Sequence, residues 1–217
     1  MKIVSVILAR GGSKGIPKKN LSNINGKPLI YYTINTSLSA EIEETWVSTD
    51  CEEIAKTSID LGANILKRPH NISTDTSPSE DTLLHFADNV NFDILVFIQP
   101  TSPLLSPEYI NKGLDMMNDY DSVFSAYTEH WYPKWTNQEF PTLDKCKPNN
   151  WDINNRPRRQ DVEEQYVENG AFYITTKQDL LDSKLRYSGN IGIIEMPLWR
   201  SFQIDTLEDL NLIEKLI

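Results

Sequence analysis

The chain has 217 residues, 39% of them hydrophobic and 24% charged, which is the size and make-up of one large soluble domain. Apolar runs such as Ile94–Ile98 fall far short of the ~20 residues a membrane span requires, and Ile3–Ala9, closed off by Arg10, is too short for a signal peptide. Two cysteines, Cys51 and Cys146, exclude a disulfide framework and a Cys-based zinc site, so a cytoplasmic protein is expected.

A net charge of −10 argues against nucleic acid as a partner. The charge is unevenly placed. Residues 1–40 hold six basic side chains (Lys2, Arg10, Lys14, Lys18, Lys19 and Lys27) and no acidic one, which leaves 15 basic against 31 acidic in the remainder. An acidic chain with one carboxylate-free segment carries a local positive field suited to a small anion.

In chain order, Val4–Ala9 reads as a buried strand, and Gly11, Gly12 and Gly15 then interrupt regular structure. Pro28 opens a helix to about Ser39, with Leu29, Tyr32 and Thr33 on one face. Glu44–Thr49 is a strand, Cys51–Leu61 a helix ended by Gly62, and Asn64–Leu66 a strand leading to a polar loop, His70–Ser79. Glu80–Asn89 is helical, Asp93–Ile98 is the most apolar strand, Pro107–Met117 a helix and Ser122–Ala126 a strand. The alternation predicts an α/β domain with a mostly parallel sheet and right-handed crossovers. Ligands of such sheets sit at the carboxyl ends of strands, where the glycine loop falls.

The stretch His130–Arg159 follows neither period. It holds Trp131, Trp135 and Trp151 among Pro133, Pro141, Pro148 and Pro157, and the tryptophans argue against disorder. An irregular segment this long is expected to be a lid, a binding loop or an assembly arm. Gly170–Thr176 and Gly192–Met196 return to strand character. Thr206–Ile217 closes as a helix, with Thr206 and Asp209 at capping-box spacing. A single domain over 1–217 is expected, with an arm or lid at about 130–165 and no room for a second activity.

Leu8-Ala9-Arg10-Gly11-Gly12-Ser13-Lys14-Gly15-Ile16-Pro17-Lys18-Lys19-Asn20 is the most informative segment. It lacks the Gly-Lys-Ser/Thr ending of a P-loop and the second glycine of the dinucleotide fingerprint. Small residues that expose backbone N–H groups, with Arg10, Lys14 and Lys19 beside them, still make a cradle for polyphosphate. This spelling resembles the signature of the acylneuraminate cytidylyltransferases, the CMP-sialic acid synthetases. Val47-Ser48-Thr49-Asp50, Lys67-Arg68-Pro69, Gln99-Pro100-Thr101-Ser102-Pro103-Leu104, Asn169-Gly170-Ala171-Phe172-Tyr173-Ile174 and Ile204-Asp205-Thr206 resemble further blocks of that family, so the likeness runs over essentially the whole chain.

The resemblance implies a three-layer Rossmann-like nucleotidyltransferase with a protruding dimerisation arm, and hence a homodimer. It implies transfer of CMP from CTP to the anomeric 2-hydroxyl of a nine-carbon 2-keto sugar acid, such as N-acetylneuraminate, legionaminate or pseudaminate, with release of pyrophosphate. In that scheme Arg10, Lys14 and Lys19 hold the triphosphate, assisted by Leu8, Ala9, Gly11, Gly12 and Ser13. Asn20 meets the ribose, and Arg68 and Ser79 meet the cytosine. Gln99, Lys134, Arg159, Gln160 and Tyr173 face the sugar, Lys134 and Arg159 meeting its carboxylate; Arg158 is an alternative to Arg159.

Asp205 matches an aspartate that family members use for Mg2+ or Mn2+. Many have a second aspartate two residues earlier, where this chain has Gln203, a poorer ligand for a hard cation. His70, His85 and His130 show no metal-ligand spacing, and Cys51 and Ser13 lack a partner base. Two rival readings stay open: a 3-deoxy-octulosonate activator or another sugar nucleotidyltransferase, and a nucleotide-binding module without catalysis.

Overall fold

Successive side chains of Ile3–Leu8 enter two different cores, and the sheet is built outward from that strand. The computed structural model describes residues 1–130, 132–137 and 146–217. Its elements are β1 (Ile3–Leu8), β2 (Asn23–Ile24), β3 (Lys27–Pro28), α1 (Leu29–Leu38), β4 (Glu44–Thr49), α2 (Glu52–Asp60), β5 (Asn64–Lys67), α3 (Ser79–Asn89), β6 (Ile94–Ile98), α4 (Pro107–Met116), β7 (Ser122–Glu129), β8 (Trp135–Asn137), β9 (Cys146–Pro148), β10 (Gln165–Thr176), α5 (Lys177–Ser183), β11 (Ile191–Glu195) and α6 (Leu207–Ile213). They form two units, Met1–Tyr127 with Glu168–Ile217, and Thr128–Val167.

The larger unit is a seven-stranded sheet in the order β11-β7-β10-β6-β1-β4-β5. β1 runs parallel to β4 and β6, β4 to β5, and β7 to β11, while β10 is antiparallel to β6. Period-2 alternation assigns each side chain to a face. Ile7, Val96, Ile98 and Ile174 pack against Ile30, Ile34, Ile54 and Ile110 of α1, α2 and α4. Val4, Val6, Leu95, Phe97 and Tyr173 pack on the other side against Leu83, Phe86 and Leu180 of α3 and α5. Three layers result, and each fully buried Ile, Leu or Phe contributes roughly 1.5–3 kcal/mol of transfer free energy. A third cluster, Ile16, Ile24, Leu29, Leu104, Ile204 and Ile213, ties the glycine loop to the segment leading into α6.

Several boundaries differ from the sequence expectation. Pro28 is the extended N-cap of α1 (φ −66°, ψ 147°) rather than its first helical residue. α6 ends at Ile213, and β7 and β10 are longer than the patterns predict. The helix α5 was not foreseen, although its N-cap is legible: the Thr176 hydroxyl accepts from Asp179 N, as a capping threonine does.

In the smaller unit, β8 and β9 pair antiparallel with Trp135 opposite Pro148. Trp135 and Trp151 meet edge to face at 5.3 Å, and Arg156 lies over the Trp151 ring. Trp131 and Pro141 lie outside the described residues. Among the described residues no helix is long and apolar enough to cross a membrane.

Candidate active site

β1 ends at Leu8, and the glycine loop leaves the sheet at the carboxyl ends of β1, β4 and β6. Ala9 N donates to Ser48 O at 3.0 Å, so the loop starts hydrogen-bonded to β4. Gly11 N donates to Asp50 Oδ1 at 2.8 Å, which commits one of the N–H groups expected to meet phosphate. Gly15 is required by contact: a Cβ there would lie 2.5 Å from Asp205 O. Asn20, buried in the turn Lys19–Leu21, donates from Nδ2 to Arg10 O at 3.1 Å. Its Oδ1 is buried without a hydrogen-bond partner among the described residues.

A cavity of about 380 Å³ opens beside this loop. Of the residues expected at the site, Leu8, Arg10, Ser13, Lys14, Lys19, Asn20, Ser79, Gln99 and Asp205 line it. Gly15, Phe97, Pro100 and Thr101 complete the wall. Ala9, Gly11 and Gly12 do not line it, Ala9 being fully buried beneath the loop.

Cations dominate the cavity, and each has a carboxylate. Lys19 Nζ donates to Asp205 Oδ1 and to Ile204 O, both at 2.9 Å. Arg10 Nη1 lies 2.6 Å from Asp75 Oδ1, and Lys14 Nζ lies 3.2 Å from Asp75 Oδ2. Hydrogen bonds from Arg10 and then Lys14 hold the Asp75 carboxyl below its ordinary range. Asp75 escaped the sequence reading because a lone aspartate in a Ser/Thr-rich loop gives no spacing signal.

A smaller cavity of about 160 Å³ shares Leu8, Arg10 and Ser79 with the first and adds Arg68 and Asp75. Arg68 is buried, with Nη2 donating to Ser48 O at 2.7 Å and Nε to Ser48 Oγ at 3.2 Å. Burial pushes its pKa down to about 10, with Asp50 opposing the shift and Arg10 adding to it. Ser79 is the first residue of α3, so the helix start fixes a hydroxyl in both cavities.

Tyr173 does not line either of these cavities. It is buried, stacked on Phe97 at 5.4 Å, and its hydroxyl donates to Glu168. Burial and then that carboxylate push its phenol pKa up. Two inward-facing strand positions on β6 and β10 produce the stack, so Tyr173 supports Phe97 from behind.

Gln203 is also turned away. Its Nε2 donates to Asn169 O. Gly170 sits at φ +69°, where a Cβ would stand 2.6 Å from Gln203 Nε2 and 3.3 Å from Gln99 Oε1. Gln203 thus braces a left-handed turn whose other side touches Gln99. Among the described residues no group of three His, Cys, Asp or Glu could hold a metal ion. What remains is one carboxylate, Asp205, its side chain 69% exposed at the cavity wall.

In the smaller unit Lys134 Nζ pairs with Glu129 at 3.0 Å. Arg158 is held by Asp161 through two hydrogen bonds of 2.7 and 2.9 Å. The guanidinium of Arg159 meets His130 Nδ1, and Gln160 is exposed.

Residues 4–217 match the profile of the family described as Cytidylyltransferase. The chain is 38% identical over 207 residues to N-acylneuraminate cytidylyltransferase A of Danio rerio, covering 94% of this chain and 48% of that protein. It is 30% identical over 221 residues to the N-acylneuraminate cytidylyltransferase of Streptococcus agalactiae serotype V, covering 96% and 52%. It therefore spans about half the length of the curated relatives it matches. Among solved structures, CMP:2-keto-3-deoxy-manno-octonic acid synthetase complexed with CTP aligns with a TM-score of 0.74 at 22% identity, covering 100% of this chain and 98% of that one. The 4-diphosphocytidyl-2C-methyl-D-erythritolsynthase of Anaerococcus prevotii aligns at 0.63 and 14% identity, covering 99% and 98%. At these identities the structural likeness is one of fold.

Proposed function

The chain belongs to the cytidylyltransferase family, and from that premise we propose that it transfers CMP from CTP to the anomeric 2-hydroxyl of a sialic-acid-like nine-carbon 2-keto sugar acid. The observation that carries the proposal is the meeting of Arg10, Lys14, Lys19 and Asp205 with Asn20, Ser79 and Gln99 in one cavity at the strand ends. The acceptor follows the relatives named N-acylneuraminate cytidylyltransferase, since the octonic acid synthetase shares only the fold.

The reaction is in-line displacement at the α-phosphorus: the sugar hydroxyl attacks, its proton passing to solvent, and pyrophosphate leaves with the electron pair of the broken P–O bond. Such chemistry depends on positioning and on charge placed where it develops. Arg10, Lys14 and Lys19 bind and orient the triphosphate, and Asn20 Oδ1 accepts from the ribose. Arg68 and Ser79 frame the base, where a mismatched ring would leave buried polar groups unpaired. Gln99 orients the sugar. Arg159, whose planar fork suits a carboxylate, and Lys134 are the cations proposed for the sugar's carboxylate, with Gln160 beside them. Arg158, which pairs with Asp161, is the alternative to Arg159.

The donor set fits a divalent metal held by Asp205 and by substrate phosphates, the manner in which magnesium is commonly bound. Such an ion, Mg2+ or Mn2+, supplies neutralisation of the charge developing on the phosphates. A cytoplasmic homodimer is part of the same proposal: the tryptophan-bearing segment exposes Trp135, and tryptophan is favoured at interface centres.

The test is pyrophosphate release from CTP with N-acetylneuraminate, legionaminate, pseudaminate or 3-deoxy-octulosonate as acceptor. Release is expected with a nonulosonic acid. Release with the octulosonate alone would move the chain to the rival acceptor, and CTP binding without release from any acceptor would make it a binding module.

A further inference from the structure

The segment between Pro69 and Pro78 is tied to itself. Ser73 Oγ donates to Pro69 O at 2.9 Å, Thr74 N donates to Ser77 Oγ at 3.2 Å, and the Thr74 and Ser77 hydroxyls share a hydrogen bond of 2.7 Å. These bonds make a short strap that carries Asp75. Asp75 gives one carboxylate oxygen to Arg10 at 2.6 Å and the other to Lys14 at 3.2 Å. Two of the three loop cations at the larger cavity are thus bridged by a single side chain, and the third, Lys19, is paired with Asp205.

A carboxylate spanning two cations has the geometry of a phosphate group doing the same. We propose that Asp75 is an internal stand-in for substrate phosphate, occupying Arg10 and Lys14 in the absence of substrate and giving way when a polyphosphate binds. The proposal deepens, and rests on, the reading of this cavity as a triphosphate site. Two physical consequences follow. The bridge spares neighbouring cations their mutual repulsion while no substrate is present; Arg10 already disfavours the charge on Arg68. It also taxes substrate affinity, because the apparent dissociation constant rises as the binding-competent fraction falls. The strap further lines the smaller cavity with Arg68, through Thr74, Asp75 and Ser77, so the segment that yields to phosphate is a wall of the proposed base subsite.

Titration calorimetry with sodium tripolyphosphate as probe, in magnesium-free buffer, tests this on the full chain and on the Asp75→Asn, Asp75→Ala and Arg10→Ala variants. Asp75→Asn keeps the shape and removes the charge. Two ion pairs of ordinary strength, one exposed and one half-buried, predict binding tighter by about threefold to tenfold in both Asp75 variants, with Arg10→Ala weaker than wild type. Unchanged or weaker binding in the Asp75 variants, with Arg10→Ala still impaired, overturns the stand-in and leaves the triphosphate site standing. No measurable binding by any form overturns the triphosphate site and the stand-in with it. If Asp75→Ala melts early, the isosteric Asp75→Asn decides.

Discussion

Lys19 and Asp205 stand 186 positions apart in the chain, yet Lys19 Nζ donates to Asp205 Oδ1 at 2.9 Å. The ammonium also caps Ile204 O, so the glycine loop and the segment before α6 are joined at the wall of the cavity. Ile16 and Ile204 pack beneath the same junction. A cation and a carboxylate are thereby held side by side at the cavity wall.

Lys19→Ala should lower turnover roughly tenfold or more, since it removes a fixed cation from phosphates whose charge shifts during reaction. Arg10→Ala should do the same. Steady-state pyrophosphate release is the measurement. Near-wild-type rates in both variants would mean that the glycine loop is not the phosphate site.

The orientation of Gln203 leads to a second prediction. Chelation should abolish activity, and Asp205→Asn should nearly do so. Gln203→Ala should instead act through the fold, because it leaves Asn169 O without its donor. Loss of such a bond costs about 1–3 kcal/mol, and each kcal/mol corresponds to about 2–4 °C of melting temperature in a chain this size. Gln203→Asp should not tighten magnesium: it sets a carboxylate against a carbonyl oxygen. A lower magnesium requirement in that variant, with an unchanged melting temperature, would show that position 203 reaches the metal after all.

Arg68 is predicted to set the preference of CTP over UTP. Arg68→Lys should lower the ratio of the two kcat/KM values by about tenfold, a loss of about 1.4 kcal/mol of discrimination. Its bonds to Ser48 make it structural as well, and a purely structural role would depress both nucleotides equally. The ratio separates the two roles.

The capping box at the start of α6 gives a prediction in pH. Thr206 Oγ1 accepts from Asp209 N at 3.2 Å, and Asp209 accepts from the backbone N–H of Thr206 at 2.7 Å. Thr206→Ala should destabilise the protein by about 1 kcal/mol. The Asp205 and Thr206 N–H groups hold the Asp209 carboxyl below its ordinary range. Its stabilising contribution is therefore full above the unfolded-state value of about 4 and fades as pH falls through the lower folded value. Asp209→Asn should flatten the stability profile below about pH 4 in urea melts. A profile as steep as that of wild type would place the acid sensitivity elsewhere.

Light scattering at assay concentration should find a dimer of the 24.9 kDa chain. A fully active monomer would remove the assembly role from the tryptophan-bearing segment.

The sequence by itself determined the alternating strands and helices, because a period of two over Ile94–Ile98 leaves an apolar run no choice but two buried faces. It also determined the cap at Thr206, whose partner lies three residues away, and the cationic loop, whose residues are contiguous. Local geometry suffices for features of that range. Only the tertiary structure decided which distant groups meet. Asp75 on Arg10 and Lys14, Asp205 on Lys19, and Ser79 beside Leu8 depend on how strands order in the sheet and where loops leave it. It also decided that Tyr173 stacks on Phe97 and that Gln203 donates to Asn169 O. A side chain's type states which bonds it can make; which partner lies within reach is fixed by packing between segments that the sequence places far apart.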